Sequence, residues 1–293
     1  MSFEFEKYLK LIFTRKLEEA IDYRKQYMPK KIYKYVSLSK SIECLKDQQQ
    51  CKNITDLNEM KFNALRNHHI WMSRFDNLND PYEYKAMYLK RTELANKGWP
   101  LEILDEYINK MKAVYLISSF TKNIVDNMPM WAHYSNNHQG FCIEYNVLNP
   151  KVVFPISYEE ERFGLASILT SIFNLTYKIF KGEIDENDEE FQFTMTLITH
   201  FGLIKHKTWQ YENEYRIIQA DLGGNNAGAL VPSIKIGLDV NSIFVGSQCT
   251  KENRDELIKI ANDIKVNIYE MYLDDDEPNY KLSYRSLRKA MTD

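Results

Sequence analysis

Three stretches of the chain concentrate side chains that can do chemistry. The first is Trp209-Gln-Tyr-Glu-Asn-Glu-Tyr-Arg-Ile-Ile. Read as extended over 212–218, its period of two puts Glu212, Glu214 and Arg216 on one face and Asn213, Tyr215 and Ile217 on the other. One carboxylate could then stabilise a developing cation or hold a sugar hydroxyl while the other orients a nucleophile. The same residues could also form a solvated ladder of ion pairs on an outer face.

The second stretch, Met130 to Tyr145, gathers two His, two Asn, a Trp and two Tyr around Gly140. With Asp80, the residues His133, His138 and Glu144 would suit a metal-assisted nucleic-acid-processing enzyme. The five-residue spacing of the histidines does not place both on one helical face, so no metal ligands are assigned. The alternative is that Trp131 and Tyr134 pack in the core while His133 and His138 cap backbone groups. In the third stretch, Ser118-Ser-Phe-Thr121, the hydroxyls either meet a ligand or satisfy a strand end.

Other chemistries are disfavoured. The chain has no P-loop, GxGxxG, GxSxG or HExxH, and Gly223-Gly224 lacks the Lys-Ser/Thr and helix that a phosphate cradle needs. With 38 Lys and Arg against 41 Asp and Glu, the net charge of -3 offers no global positive field for nucleic acid. Cys44, Cys51, Cys142 and Cys249 are scattered as free thiols are in a reducing compartment. The N-terminus lacks the pattern of a signal peptide, and no apolar run reaches the roughly 18 residues of a membrane span. A cytoplasmic protein with no membrane partner is expected. Twenty Tyr, fifteen Phe and four Trp point to ring-lined clefts, suited to stacking on nucleobases or nicotinamide.

The elements that must position these residues follow from periodicity. Residues 3–27 read as one amphipathic helix ended by Pro29, making 1–29 an N-terminal helical segment. A single α+β domain is expected over 30–275, with a helical insertion at about 160–206 and a tail over 276–293. Its strands are Lys31–Val36, Ile70–Phe75, Val114–Phe120, Gly140–Tyr145, Tyr215–Ala220, Ser233–Ile236, Ile243–Gly246 and Val266–Tyr272. The strands at 215–220 and 233–236 are expected to join across the glycine-rich turn at 222–228. Helices are expected from Ser37 or Ser39 to about Gln49, from Pro100 to Ala113, through Trp131 and Tyr134, over 163–180 and 188–204, and over 251–264 capped by Thr250. Residues 47–69 read as a polar loop with a little helix. Strands meet hairpin-like turns rather than alternating strictly with helices, which favours mixed, mostly antiparallel sheets.

Taken in order, Ile32-Tyr-Lys-Tyr, Trp71-Met-Ser-Arg-Phe-Asp-Asn-Leu-Asn-Asp-Pro-Tyr-Glu, Ser118-Ser-Phe-Thr and the two polar segments resemble a widespread bacterial family, domain of unknown function 2971. The resemblance spans about residues 30–275. A looser one is to the ADP-ribosyltransferase fold, which includes phage-defence and toxin–antitoxin effectors and splits its β-core around a nicotinamide-dinucleotide cleft. That second resemblance implies an NAD-using ADP-ribosyltransferase or NAD glycohydrolase. Glu214 would be its catalytic carboxylate, and Glu212 would orient the nucleophile. It further implies that Tyr33, Ser119, Thr121 and His133 line the cleft, that Trp131 or Tyr134 stacks on nicotinamide, and that Lys34 or Arg74 meets the pyrophosphate. Its first strand departs from the pattern, since Tyr33-Lys-Tyr35 contains no Arg or His. The implied partners are a protein or nucleic-acid target and an antitoxin or defence-system protein. A non-catalytic sensor or protein-interaction module is the remaining alternative.

Overall fold

The computed structural model describes residues 3–39, 48–83, 85, 87–88, 90–96, 98, 101–124, 127–164, 178, 181–185, 187–221, 227–276, 278 and 280–287. The chain opens with a helical hairpin, α1 (Phe5–Phe13) and α2 (Leu17–Lys25), rather than the single helix expected. Arg15 turns the chain with φ 60°, and Thr14 Oγ1 donates to Lys10 O at 2.8 Å. Folding back lets Tyr8, Ile12 and Ala20 share one apolar cluster with Leu197, which a continuous rod would not allow.

Strand β1 (Lys31–Val36) follows as expected. The helix expected from Ser37 or Ser39 falls largely on 40–47, outside the described residues. The polar stretch after it is not a loop but α3 (Gln48–Arg66), followed by β2 (His69–Ser73). Phe62 and Leu65 are buried there and Asn58 exchanges hydrogen bonds with the Ser39 backbone, so few apolar residues at helical spacing suffice. Next come β3 (Met87–Tyr88), α4 (Arg91–Asn96), α5 (Leu101–Ala113), β4 (Tyr115–Thr121), α6 (Met128–Tyr134), β5 (Phe141–Val147), β6 (Val153–Pro155), β7 (Ser157–Glu159) and β8 (Phe163–Gly164). The helix expected over 163–180 lies almost entirely outside the described residues. Helix α7 (Glu189–Phe201), capped by Asp188, leads into β9 (Ile204–His206) and a 3-10 helix over Lys207–Glu212. The chain closes with β10 (Glu214–Ala220), β11 (Gly228–Pro232), β12 (Leu238–Val245), α8 (Lys251–Asp263), β13 (Asn267–Leu273) and β14 (Leu282–Ser286). Thr250 caps α8, its hydroxyl accepting from Asn253 N. Ser233–Ile236 is a 3-10 turn, and β11 precedes it.

The protein is α+β, with a mostly antiparallel main sheet ordered β11-β2-β4-β1-β5-β12-β13-β14. Strand β10 lies along β4 over the whole of 214–220 and carries β6 on its far edge. It does not form the expected hairpin with β11, which pairs with β2 instead. Within the expected tail, Leu282–Ser286 form β14, which extends the sheet from β13. Among the described residues, β12 and β13 are the only parallel pair of the main sheet, connected by α8.

Strand β4 meets β1 at one pair, Tyr33 opposite Thr121, and meets β2 at one pair, Ser73 opposite Ile117. The sheet therefore nearly divides between β4 and β1. A single row, Glu214–Thr121–Tyr33–Glu144–Ser242, crosses that seam on one face. The same face carries Cys142, Phe244 and Trp131, while Ile32, Ile143 and Tyr145 pack on the other with Phe62, Leu257 and Ile260.

Strand β5 starts against the end of β1, where a Cβ added to Gly140 would lie 2.0 Å from the Val36 carbonyl oxygen. Gly140→Ala is therefore expected to cost about 2–3 kcal/mol, as overpacked sites do. Urea denaturation read by circular dichroism checks this, with Gly182→Ala as comparison for a positive-φ glycine in open space.

Candidate functional site

The turn Arg74–Glu83 brings Asn79 and Glu83 to the seam, β4 brings Ser119 and Thr121, α6 brings Tyr134, β9 brings Lys205, and β10 brings Glu214 and Arg216. Together with Tyr33, Lys34 and Tyr35 of β1, these residues line a cavity of ≈ 250 Å³. The expected run of strand over 212–218 is interrupted. Glu212 ends a 3-10 helix, Asn213 turns the chain in the left-handed region with φ 45°, and only from Glu214 is the backbone extended. Both carboxylates nevertheless face the same cavity, and both are buried rather than arrayed on a solvated face.

Arg216 is fully buried and all five of its N–H groups are used. Nε donates to Glu214 Oε1 at 2.7 Å, Nη1 to Glu83 Oε2 at 2.8 Å and Gly202 O at 2.6 Å, and Nη2 to Glu83 Oε1 and to Glu214 Oε2 at 3.2 Å. Lys205 Nζ donates to Glu212 Oε2 at 2.6 Å and to Glu214 Oε2 at 3.3 Å, with Glu83 at 3.8 Å. Glu212 also accepts from the Tyr134 phenol, which in turn accepts from Asn79 Nδ2 at 2.7 Å. Three carboxylates thus share two cations in a medium that screens charge poorly.

That imbalance divides the pair. Burial and the adjacent Glu214 charge push Glu212 up to about 7, against the pull of Lys205 and Tyr134. Burial would raise Glu214 as well, but the Arg216 and Lys205 charges and hydrogen bonds from Arg216 and Ser119 hold it down to about 2. One member of the pair exchanges a proton near neutrality while the other stays ionised, as in acid–base sites. Lys34 is half-buried and pulled down to about 8 by burial, with Glu214 opposing. Its Nζ donates to Ser118 Oγ at 2.8 Å, and among the described residues no carboxylate lies within ion-pair distance of it.

Of the residues singled out from the sequence, Glu212, Glu214, Tyr33, Lys34, Ser119, Thr121 and Tyr134 meet at this cavity. Three are placed elsewhere. Trp131 is fully buried in the core, its Nε1 donating to Ile124 O, because α6 turns that ring inward while Tyr134 faces the cavity. His133 is exposed on α6 near the Tyr211 ring. Arg74 is tied to Asp221 and the Ala113 carbonyl, away from any pyrophosphate in the cavity.

The His-rich segment is a structural lock. Asn136, Asn137 and His138 all take positive φ, Gly140 N donates to Ser135 O, and the His138 ring stacks on Trp131. Glu144 is held by Lys31, Tyr33 and Asn241, not by His133, His138 or Asp80. Among the described residues no group of three or more His, Cys, Asp or Glu is arranged to hold a metal ion. Sequence reasoning missed Glu83, Asn79 and Lys205. The available signals were Glu83 within Asp80-Pro-Tyr-Glu and a lysine in the apolar run Leu203-Ile-Lys.

Residues 130–217 match the model of a family described as a protein of unknown function, DUF2971. The match includes Tyr134, Lys205, Glu212, Glu214 and Arg216 but not Glu83. No curated protein and no solved structure matches the chain, so the likeness to ADP-ribosyltransferases gains no support from these comparisons. Among the described residues no helix is long and apolar enough to cross a membrane.

Arg216→Met would leave Glu83 and Glu214 buried and short of a cation, at an expected cost of about 3–5 kcal/mol near pH 7. Urea melts check this, with the loss shrinking as acid protonates the stranded carboxylates. Arg285→Met, which removes an exposed cation from a Glu270 that Arg254 still pairs, is expected to cost under about 1 kcal/mol.

Proposed function

We propose that the chain is an ADP-ribosyltransferase-like enzyme that uses a nicotinamide dinucleotide, with the cavity at the β1–β4 seam as its active site. The observation that carries this reading is the Glu212–Glu214 pair, two carboxylates in one cavity with protonation pushed in opposite directions. Tyr33, Ser119 and Thr121 stand on the same cavity wall. The dinucleotide would supply an electrophilic ribose carbon, whose bond to nicotinamide breaks with its electron pair leaving on the ring nitrogen.

The residues of the chain divide the remaining work. Glu212 at neutral pH is part ionised, and in that state takes the proton of an incoming hydroxyl or water. Its negative charge, in excess of Lys205 and Arg216, also stabilises positive charge developing next to it. Glu214 is fixed by Arg216 and Lys205, and it keeps the proton affinity of Glu212 high. Both of the roles first divided between the two carboxylates thus fall to Glu212, with Glu214 as its positioning partner. The acceptor would be a protein or nucleic-acid group, as in a defence or toxin effector, or water for a glycohydrolase.

The complete pairing of both carboxylates with Lys205, Arg216 and Tyr134 favours a second reading, a non-catalytic module in which the cluster only braces the fold.

Nicotinamide release from the labelled dinucleotide separates the two. The catalytic reading expects release to rise with pH through about 7, as Glu212 loses its proton, and then to level off. Glu212→Gln should lower the rate about 100-fold or more and remove that rise, with circular dichroism unchanged. Equal release by the variant and the unaltered protein, or none by either, would favour the bracing module.

A further inference from the structure

Among the described residues, Glu212 accepts from two side chains that come from unrelated parts of the chain. Tyr134 on α6 gives its phenol proton to Oε1, and Lys205 on β9 gives an ammonium proton to Oε2 at 2.6 Å. With one oxygen on each donor, the carboxylate cannot turn about its last bond without losing both. Lys205 is shared, since its Nζ also lies 3.3 Å from Glu214 Oε2 and 3.8 Å from Glu83. Tyr134 serves Glu212 alone. The fold aims that phenol from both sides. Three residues earlier on α6, Trp131 is fully buried with its Nε1 on Ile124 O at 2.9 Å, and the buried Ser135 donates its hydroxyl proton to Trp131 O. On the other side, Tyr134 Oη accepts at 2.7 Å from Nδ2 of Asn79, an exposed residue of the turn that lines the same cavity. A phenol that accepts from an amide donates more strongly to the next group, so Asn79, Tyr134 and Glu212 form one polarised chain from the surface to a buried carboxylate.

We infer that Tyr134 is a further positioning residue for Glu212, supported from the turn by Asn79, and that it holds the carboxylate in the direction and the ionised form a base needs. This rests on Glu212 being the base of the proposed reaction. Burial raises Tyr134 above its ordinary range, and the Glu212 charge raises it further, so the phenol stays a neutral donor. Glu212 is pushed up to about 7 by burial and by Glu214, and the Tyr134 bond is among the interactions that oppose the rise. A bond made to the charged form favours that form, so taking it away moves the proton affinity of Glu212 upward. The other titratable groups around Glu212 are Lys205 on β9, Glu214 and Arg216 on β10, Glu83 on the turn, Tyr158 on β7 and Tyr211 in the 3-10 helix. None of them is hydrogen-bonded to Tyr134, whose bonds are to Asn79 and Glu212.

Carbon-13 NMR titration of the glutamate carboxyls in the full chain tests the inference without turnover, the Glu212 signal being the one lost in Glu212→Gln. The expected midpoint is about 7 in the unaltered protein. In Tyr134→Phe it is expected about one pH unit higher, as loss of one hydrogen bond to a charged group gives. Asn79→Ala is expected to raise it by less, in the same direction. Tyr211→Phe removes a neighbouring phenol from which Glu212 does not accept, and is expected to leave it in place. An unmoved or lower midpoint in Tyr134→Phe, with circular dichroism retained, would overturn the assignment. Where that variant does not fold, Asn79→Ala decides, and an unmoved midpoint there overturns it. Nicotinamide release in the same samples keeps the two readings apart. A rising limb displaced along with the midpoint supports both. A displaced midpoint without release in any sample upholds the positioning role and counts against the reaction. Release with limb and midpoint unmoved does the reverse.

Discussion

The architecture around the cavity depends on one buried guanidinium. Arg216 projects from β10, yet its partners come from the turn after β2, from its own strand and from the corner between α7 and β9. A charge with no exposure is tolerated only when every donor is matched, and here all five are. The planar fork meets Glu83 with two nitrogens and Glu214 with two, which fixes both carboxylates in direction as well as in charge. Gly202 belongs to the same constraint. Its carbonyl accepts from Nη1, and a Cβ there would come within 2.4 Å of the Phe75 ring. Three separate segments are therefore held at one point, and the cavity lies beside it.

The second constraint is the loop Ser135–Gly140. Three successive residues in the left-handed region are costly for side chains other than glycine, least so for Asn. The cost is offset by backbone bonds from Asn137, His138 and Gly140 back into the end of α6, and by bonds from Gly246 and Gln248 to the loop carbonyls. The loop sets how α6 lies across β1 and β5, and hence where the Tyr134 phenol meets Glu212. Its unusual composition serves geometry, while the proton-exchanging residue comes from elsewhere in the chain.

Much of this was legible in the sequence, for identifiable reasons. Lys31–Val36 follows its alternation, Tyr115–Thr121 its β-branched and aromatic composition and α5 the proline before it, and Thr250 announces α8 as a cap should. The α1–α2 break was not legible, because the apolar spacing of residues 5–21 continues through Arg15 and only tertiary packing on Leu197 selects the hairpin. In α3, Phe62 and Leu65 outweigh a polar composition because they meet a core already built by the sheet. At the site, Glu212 and Glu214 could be paired from their spacing, whereas Ser119 and Thr121 joined them only through the resemblance in motif order. Glu83 and Lys205 could not be grouped with them, because their pairing with Arg216 and Glu214 is a product of topology. Trp131 and Tyr134 show the same limit, since three positions along one short helix separate a core ring from a cavity phenol.

Charge arithmetic explains why Glu212, not Glu214, is the member of the pair that titrates. Arg216 and Lys205 supply two positive charges to Glu83, Glu212 and Glu214, and the proton goes where cationic support is weakest. Glu83 has both nitrogens of the Arg216 fork, and Glu214 has Arg216 together with Lys205. Glu212 has Lys205 alone, with a neutral phenol on its other oxygen. The cluster is one positive charge short whenever Glu212 is ionised. A proton fills that deficit in the resting protein, and a positive charge developing on a bound molecule could take the proton's place. The interaction that stabilises the fold and the one that would stabilise a reacting centre are then the same electrostatic demand, met from two sources.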